Sequence, residues 1–332
     1  MRTPLCDLFG VEVPIVQAPI GSASVPALAA AVSEAGALGT VALSWTRPED
    51  VAAVLDDVRV RTSRPFHVNI LLVWPPEERL DAALAAGARI VSLAWGDPGP
   101  YVDRVHAAGG LVLATAGTAE EAKRFAGGGV DAICAQGWEA GGHVWGEVST
   151  MALVPAIVDA VSPLPVIAAG GIADGRGIAA ALALGAQGVW IGTRFLLAEE
   201  APVHPDYRQR LLRARGEDAV YAADLFNVGW ENAPHRALRN STREQWEAAG
   251  SPRPGERPGE GETVATRSDG SPIARYSSSM PIESISGDIE ALSMWSGQGI
   301  GLIDRTQPAA EIIHELTAEA EQAIEHLPHR CS

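Results

Sequence analysis

Between residue 14 and about residue 215 the chain repeats one alternation eight times: a short β-rich apolar run, then a longer alanine-rich run. No other feature limits the fold as strongly. The candidate strands are Ile15–Pro19, Leu38–Leu43, Phe66–Leu72, Arg89–Trp95, Leu111–Ala116, Ala132–Gln136, Pro165–Ala169 and Gly188–Gly192. The runs Val25–Ala35, Pro48–Val60, Pro76–Ala86, Tyr101–Ala108, Ala119–Ala126, Met151–Val161 and Gly175–Leu184 place apolar residues at three- and four-residue spacing, the period of a helix with one buried face. Gly36, Gly87, Gly109, Gly127 and Gly185 follow these runs as helix stops. Thr118 and Asp174 precede two of them as N-caps. Strands apolar on both faces belong in a buried parallel sheet. Eight βα units in succession predict an α/β fold, a (β/α)8 TIM barrel. A doubly wound open sheet is the alternative; the count of eight and the lack of GxGxxG after the first strand argue against it.

The rhythm stops after Pro205, with residues 206–216 reading as an eighth helix. The barrel is expected to take residues 1–216 and a C-terminal helix at about 305–328. Residues 217–304 read as a cap or lid region with a Pro/Gly-rich loop at 250–262, and helices are expected at Ile289–Ser296 and Pro308–His326. A plain extension on the barrel side is the other reading of this region.

Net charge is −16 over 332 residues, which disfavours binding to nucleic acid or an anionic membrane. Cys6, Cys134 and Cys331 are widely separated, with no CxxC, so neither a disulfide framework nor a zinc site is expected. No apolar signal core or membrane-length run is present, and a cytoplasmic protein is the default expectation.

In this fold the chemistry sits at the C-terminal strand ends, and phosphate sites form after strands seven and eight. Here those strands end in Gly170-Gly171 and in Gly192-Thr193. Backbone without side chains lets NH groups reach phosphate oxygens, and the helix starting after Asp174 adds its dipole. Gln17, Asn69 and Gln136 also fall near strand ends; buried amides need partners, and a flat heterocycle supplies them. Either a ligand or a loop carbonyl could satisfy each one. His143 is the one histidine in a glycine-rich loop after a barrel strand, suited to proton abstraction or to stabilising an anion. Glu139, four residues earlier, reads as a loop anchor. His67 reads as a core histidine, Cys134 as a packed thiol, and His204, His235 and His314 as surface or packing residues. No HExxH or acidic cluster indicates a metal. With Lys123 placed in a helix, no strand-borne lysine is available for a Schiff base.

Taken together, Gln17-Ala18-Pro19-Ile20, Asn69, Gln136-Gly137-Trp138-Glu139-Ala140-Gly141-Gly142-His143, Ile167-Ala168-Ala169-Gly170-Gly171-Ile172, Ile191-Gly192-Thr193-Arg194-Phe195 and Ser296-Gly297-Gln298-Gly299 resemble the nitronate monooxygenases, formerly called 2-nitropropane dioxygenases. The resemblance spans Phe9 to about Ile303. It implies FMN as cofactor, with Ala18, Pro19 and Ile20 along the flavin ring and Asn69 hydrogen-bonded to it. It further implies Gln136, Gly141 and Gln298 around the cofactor, and Gly170, Gly171, Gly192 and Thr193 at its phosphate. His143 would be the catalytic residue. The implied reaction oxidises an alkyl nitronate with O2 to a carbonyl compound and nitrite through a flavin semiquinone. The implied partners are a small-molecule substrate and O2, and a homodimer is left open. Trp190 stands where many relatives carry a smaller or polar residue, so local packing there is expected to differ, and Trp138 and Trp145 flank the histidine loop, where they could narrow the pocket and alter substrate choice. Alternatives are an FMN-dependent enoyl-acyl-carrier-protein or acyl-CoA reductase or dehydrogenase using NAD(P)H, a non-catalytic flavin-binding protein and a phosphosugar enzyme without flavin.

Overall fold

The computed structural model describes residues 1–330. Cys331 therefore lies outside the described residues. Eight parallel strands form the central sheet: β1 Ile15–Gln17, β2 Gly39–Ala42, β3 Phe66–Leu71, β4 Ile90–Ala94, β5 Leu111–Ala116, β6 Ala132–Gln136, β7 Val166–Ala169 and β8 Gly188–Ile191. Each pairs with its sequence neighbour, and β8 returns to β1 with Val16 opposite Trp190. The ring closes between β1 and the residue before β2. There Gln17 N donates to Leu38 O and Leu38 N donates to Ile15 O, both at 2.9 Å. The barrel is closed by hydrogen bonds that the β-rich runs predicted only in outline.

Alternation along each strand divides the apolar residues between two cores. Ile15, Val41, Val68, Val91, Val112, Ile133, Val166 and Val189 face the helices. Val16, Leu38, Ile90, Leu113, Cys134, Ile167 and Trp190 fill the barrel interior. The N-terminal helix Pro4–Phe9 plugs the interior from below with Leu5, Cys6 and Phe9. Proline in its first turn presets φ, and Gly10 at φ 70° ends it. Burying each large plug side chain stabilises the fold by roughly 1.5–3 kcal/mol. Thr118 and Asp174 do cap their helices, accepting from Glu121 N and Gly177 N. Gly127 ends its helix without a left-handed φ; Gly129, at 88°, makes the turn instead.

The eighth helical position around the barrel is filled from the far end of the chain. Helix Ala309–Arg330 packs against Gly175–Ala183 and Pro26–Glu34, and Glu319 accepts from Gly175 N. Pro205–Arg213, expected as the eighth helix, instead packs against the single-turn helices Ile289–Ala291 and Gln298–Leu302. The helix expected over Ile289–Ser296 is thus only one turn long. The residues after it are extended because their carbonyls and amides pair sideways. Leu238 N donates to Met294 O at 2.7 Å, and Asn240 Nδ2 donates to Leu292 O at 2.7 Å.

Residues after 217 build two small antiparallel sheets. In one, Ala219–Ala222 pairs with His235–Leu238, which in turn pairs with Gly142–His143 from the loop after β6. The other joins Thr263–Thr266, Pro272–Ala274 and Ser286–Gly287. No described helix is long and apolar enough to cross a membrane.

Candidate active site

A cavity of about 450 Å³ opens at the C-terminal ends of the strands. Its floor is Ala18-Pro19-Ile20 after β1, Asn69 of β3, Gln136 of β6, Gly170-Gly171 after β7 and Gly192-Thr193 after β8. Gly141 and His143 line one side, and Arg267, Ser279, Met280 and Ile285, from the region after 217, lie across it. Gln298 is not in this wall. It is exposed, and its backbone N donates to Glu139 O at 3.0 Å, while its neighbours Gly297 and Gly299 line the cavity. Gln17 is not in the wall either. Its amide is buried and pairs with Thr40 N and O, acting as a side-chain rung between β1 and β2.

The floor is shaped by small residues. Gly170 and Gly171 adopt φ of 106° and 72°, and a Cβ on Gly170 would meet Gly137 O and Thr150 Oγ1 at 2.9 Å. A Cβ on Gly192 would lie 3.4 Å from that of Ala18. Thr193 Oγ1 accepts from Gly297 N at 2.9 Å and so keeps its own proton to donate. Asn69 donates to Ser92 Oγ at 2.9 Å, and its Oδ1 has no protein donor among the described residues. A bare-backbone cradle at one end and an open amide acceptor in the middle fit a phosphorylated heterocycle, so the residues present suit a flavin mononucleotide. Gln136 is committed differently: Nε2 donates to His143 O at 3.1 Å and Oε1 accepts from Trp145 N at 2.8 Å. It holds the histidine loop as well as lining the cavity. Glu139 anchors the same loop by accepting from Thr150 N and Oγ1, both at 2.8 Å.

His143 stands opposite His235 in the small sheet. Both Nδ1 atoms face the Ala233 carbonyl, at 3.3 Å and 2.9 Å. A carbonyl only accepts, so each histidine carries its proton on Nδ1. His235 Nε2 accepts from Phe226 N at 3.2 Å, whereas His143 Nε2 has no protein partner among the described residues. Three indoles surround the His143 ring: Trp230 at 3.9 Å, Trp295 at 5.1 Å and Trp95 at 5.7 Å. This burial pushes its imidazole down to about 3, with His235 adding to the fall and the Ala233 carbonyl opposing it. His143 is therefore a neutral imidazole with its lone pair free.

Of the three tryptophans singled out in the sequence, Trp138 and Trp145 do not line the cavity and Trp190 does. Trp138 stacks on Tyr221 at 4.2 Å beneath Arg236, outside the cavity. Trp145 donates from Nε1 to Glu121 and touches Trp95 edge-on, again outside the wall. Trp190 does reach the floor, edge-on to His67 at 5.0 Å. The rings around His143 are Trp95, Trp230 and Trp295, which sequence reasoning did not single out. Trp95 follows β4 directly, and a large side chain at a barrel strand end was the available signal. His235, read as surface or packing, is buried beside His143.

Burial also lowers the pKa of two fully buried histidines, His67 to about 3 and His235 to about 4. Each stays neutral in the folded protein but ionises near 6.5 in the unfolded chain. Below 6.5 the unfolded state therefore binds more protons, and stability falls as pH drops, until the folded pKa is reached. The slope is about 1.4 kcal/mol per pH unit per histidine in that window. The urea midpoint is expected to fall as pH drops from 6.5 to about 5, and a constant midpoint would contradict the neutral assignment.

A closed eight-stranded barrel whose C-terminal mouth holds a bare-backbone cradle and a neutral histidine defines a (β/α)8 protein with a ligand site at the strand ends. The sequence model of the nitronate monooxygenase family matches residues 2–79 and 75–319, and the chain belongs to that family. It is 32% identical to a nitronate monooxygenase of Paraburkholderia phytofirmans, over 98% of this chain and 97% of the relative. It is 38% identical to a (3aS,4S,5R,7aS)-5-hydroxy-7a-methyl-1-oxo-octahydro-1H-indene-4-carboxyl-CoA dehydrogenase of Mycobacterium tuberculosis, over 75% of this chain and 69% of the relative. Among solved structures it resembles FabK from Thermotoga maritima, with TM-score 0.84, 34% identity and 99% of each chain covered. Family membership implies a flavin cofactor.

Proposed function

We propose that the protein binds FMN across the barrel mouth and oxidises alkyl nitronates or their parent nitroalkanes with O2, releasing a carbonyl compound and nitrite. The observation that carries this reading is the neutral, tautomer-fixed His143 with its free Nε2 in an apolar cage beside the cavity. Bound FMN would supply the electron transfer between substrate and O2. The chain's own residues supply position and proton handling. Gly170, Gly171, Gly192 and Thr193 would hold the phosphate, Ala18-Pro19-Ile20 would run along the ring, and Asn69 Oδ1 would accept from a ring NH. His143 Nε2 takes the α-proton of a neutral nitroalkane, and the Ala233 carbonyl holds the imidazole in the accepting tautomer. Residues 217–304 serve as the cap: Arg267 and Ser279 close the cavity from outside, and His235–Leu238 pins the histidine loop.

A second reading, flavin-dependent redox chemistry on an acyl thioester, is favoured by the dehydrogenase and FabK resemblances. One experiment separates the two. Purified protein should be yellow, should lose flavin absorption when mixed anaerobically with ethyl nitronate, and should release nitrite in air. Bleaching by NADPH with no spectral response to nitronate would replace the first reading with the second.

A further inference from the structure

We infer that the indole-lined side of this chamber selects a substrate with a flat, ring-sized apolar body, and that Trp230 and Trp45 are its specificity determinants. The inference rests on the proposal that the chamber is the reaction site, and it names the substrate class for that site.

Aromatic rings run without a break from solvent to the catalytic histidine. Trp45 stands at the rim, 55% exposed, and lines the cavity. Its ring lies 6.1 Å from Trp74, edge-on. Trp74 lies 5.2 Å from Trp230, and Trp230 covers the His143 imidazole at 3.9 Å. Leu71 and Ala94 pack behind this row and keep it apolar. The one aromatic contact of Trp45 among the described residues is the edge-on one with Trp74, although aromatic faces and edges are best satisfied by other flat apolar surfaces. A short alkyl nitronate with its α-carbon at His143 Nε2 would touch Trp230 and leave Trp45 wet. A ring-sized body would cover both.

A second observation points the same way. Trp95 adopts φ 63°, a left-handed conformation that bulky residues rarely take, and is held there by Trp145, Trp230 and His143. Strained backbone of this kind persists where the surrounding packing fixes it, commonly at ligand sites. Here the strain turns an indole into the cavity wall. The facing side is mixed, with Met280, Ile282 and Ile285 beside a polar group. Arg267, tied to Ser279 Oγ at 2.8 Å, is joined there by Ser268 and Asp269. The wall chemistry thus orients the substrate, with its ring against the indoles and its polar remainder toward Arg267, Ser268 and Asp269.

The test uses FMN-loaded protein and unreactive probes. Binding of 2-naphthol and of 1-butanol is measured by titration in wild type, Trp230→Leu, Trp45→Leu and Trp246→Leu, the last lying outside the cavity wall. Loss of one aromatic contact is expected to weaken 2-naphthol binding about tenfold in Trp230→Leu and several-fold in Trp45→Leu, with 1-butanol and Trp246→Leu unaffected. In turnover, the preference for the nitronate of phenylnitromethane over ethyl nitronate should shrink in parallel. Unchanged 2-naphthol binding in both cavity variants overturns the inference. Because binding needs no reaction, missing nitrite with intact naphthol selectivity would sink the nitronate reading and leave this one standing. Trp45 is largely exposed, so its variant remains informative should Trp230→Leu misfold.

Discussion

His143→Asn is expected to lower kcat/KM for a neutral nitroalkane by about 10²–10⁴-fold, the usual loss when a positioned base is removed. Asparagine can still donate to the Ala233 carbonyl and still fits among Trp95, Trp230 and Trp295, so the loop should stay in place. What it lacks is the unpaired Nε2. The choice of substrate form sharpens the result. With preformed nitronate the α-proton is already gone, so the same variant should lose much less. A neutral imidazole with a pKa of about 3 also predicts the pH behaviour. The base is lost only as pH falls toward 3, so kcat/KM for nitroalkane should be flat on its acid side down to about pH 4–5. An equal loss on nitroalkane and nitronate would show that His143 does not act as the base. An acid limb near pH 6.5 would show that the indole cage does not keep the imidazole neutral.

The barrel was legible because its signal is periodic. Each strand is buried on both faces, each helix on one, and a repeat of eight leaves few closed solutions. Strand boundaries read from the chain match the observed ones to within one residue, except at β1. There Ala18 and Pro19 leave the strand to line the cavity floor. The region after 217 was far less legible. Its strands are two to four residues long, too short to show a period, and they pair with partners distant in sequence. The turn at Ile289–Ala291 shows the same limit: apolar spacing suggested a helix, but pairing with Leu238 and Asn240 kept the following residues extended. For the site, glycine pairs and the lone loop histidine stood out because their residue types are unusual at strand ends. The indole cage did not. Trp95, Trp230 and Trp295 converge from β4 and from two parts of the later region, a convergence that only the folded chain creates. His235 was missed for the same reason, since its role comes from sharing a carbonyl with a residue 92 positions earlier.

Gly170→Val is expected to yield a folded but nearly colourless protein whose Kd for FMN rises by at least about 10–100-fold. Two effects act at this residue. Its φ of 106° is a conformation that a branched side chain resists, at roughly 1–3 kcal/mol. Its Cβ would also lie 2.9 Å from Gly137 O and Thr150 Oγ1, so the cradle must widen before the side chain fits. The strain lowers the stability of the folded chain, whereas the displaced cradle is what weakens FMN binding, each roughly 1.4 kcal/mol of lost contact being tenfold in Kd. A matched control separates strain from site geometry. Gly261 has a comparable φ of 83°, with nothing within 4 Å of its Cβ position. Gly261→Val should therefore lose stability through strain alone, less than Gly170→Val, and bind FMN as wild type does. Titrating FMN into the apo forms by flavin fluorescence gives both constants, and thermal melts show whether each variant is folded. If both variants bind FMN equally well, the glycine pair after β7 is a turn and the phosphate lies elsewhere. If only Gly170→Val fails while its melt stays cooperative, bare backbone at the end of β7 is what the cofactor requires.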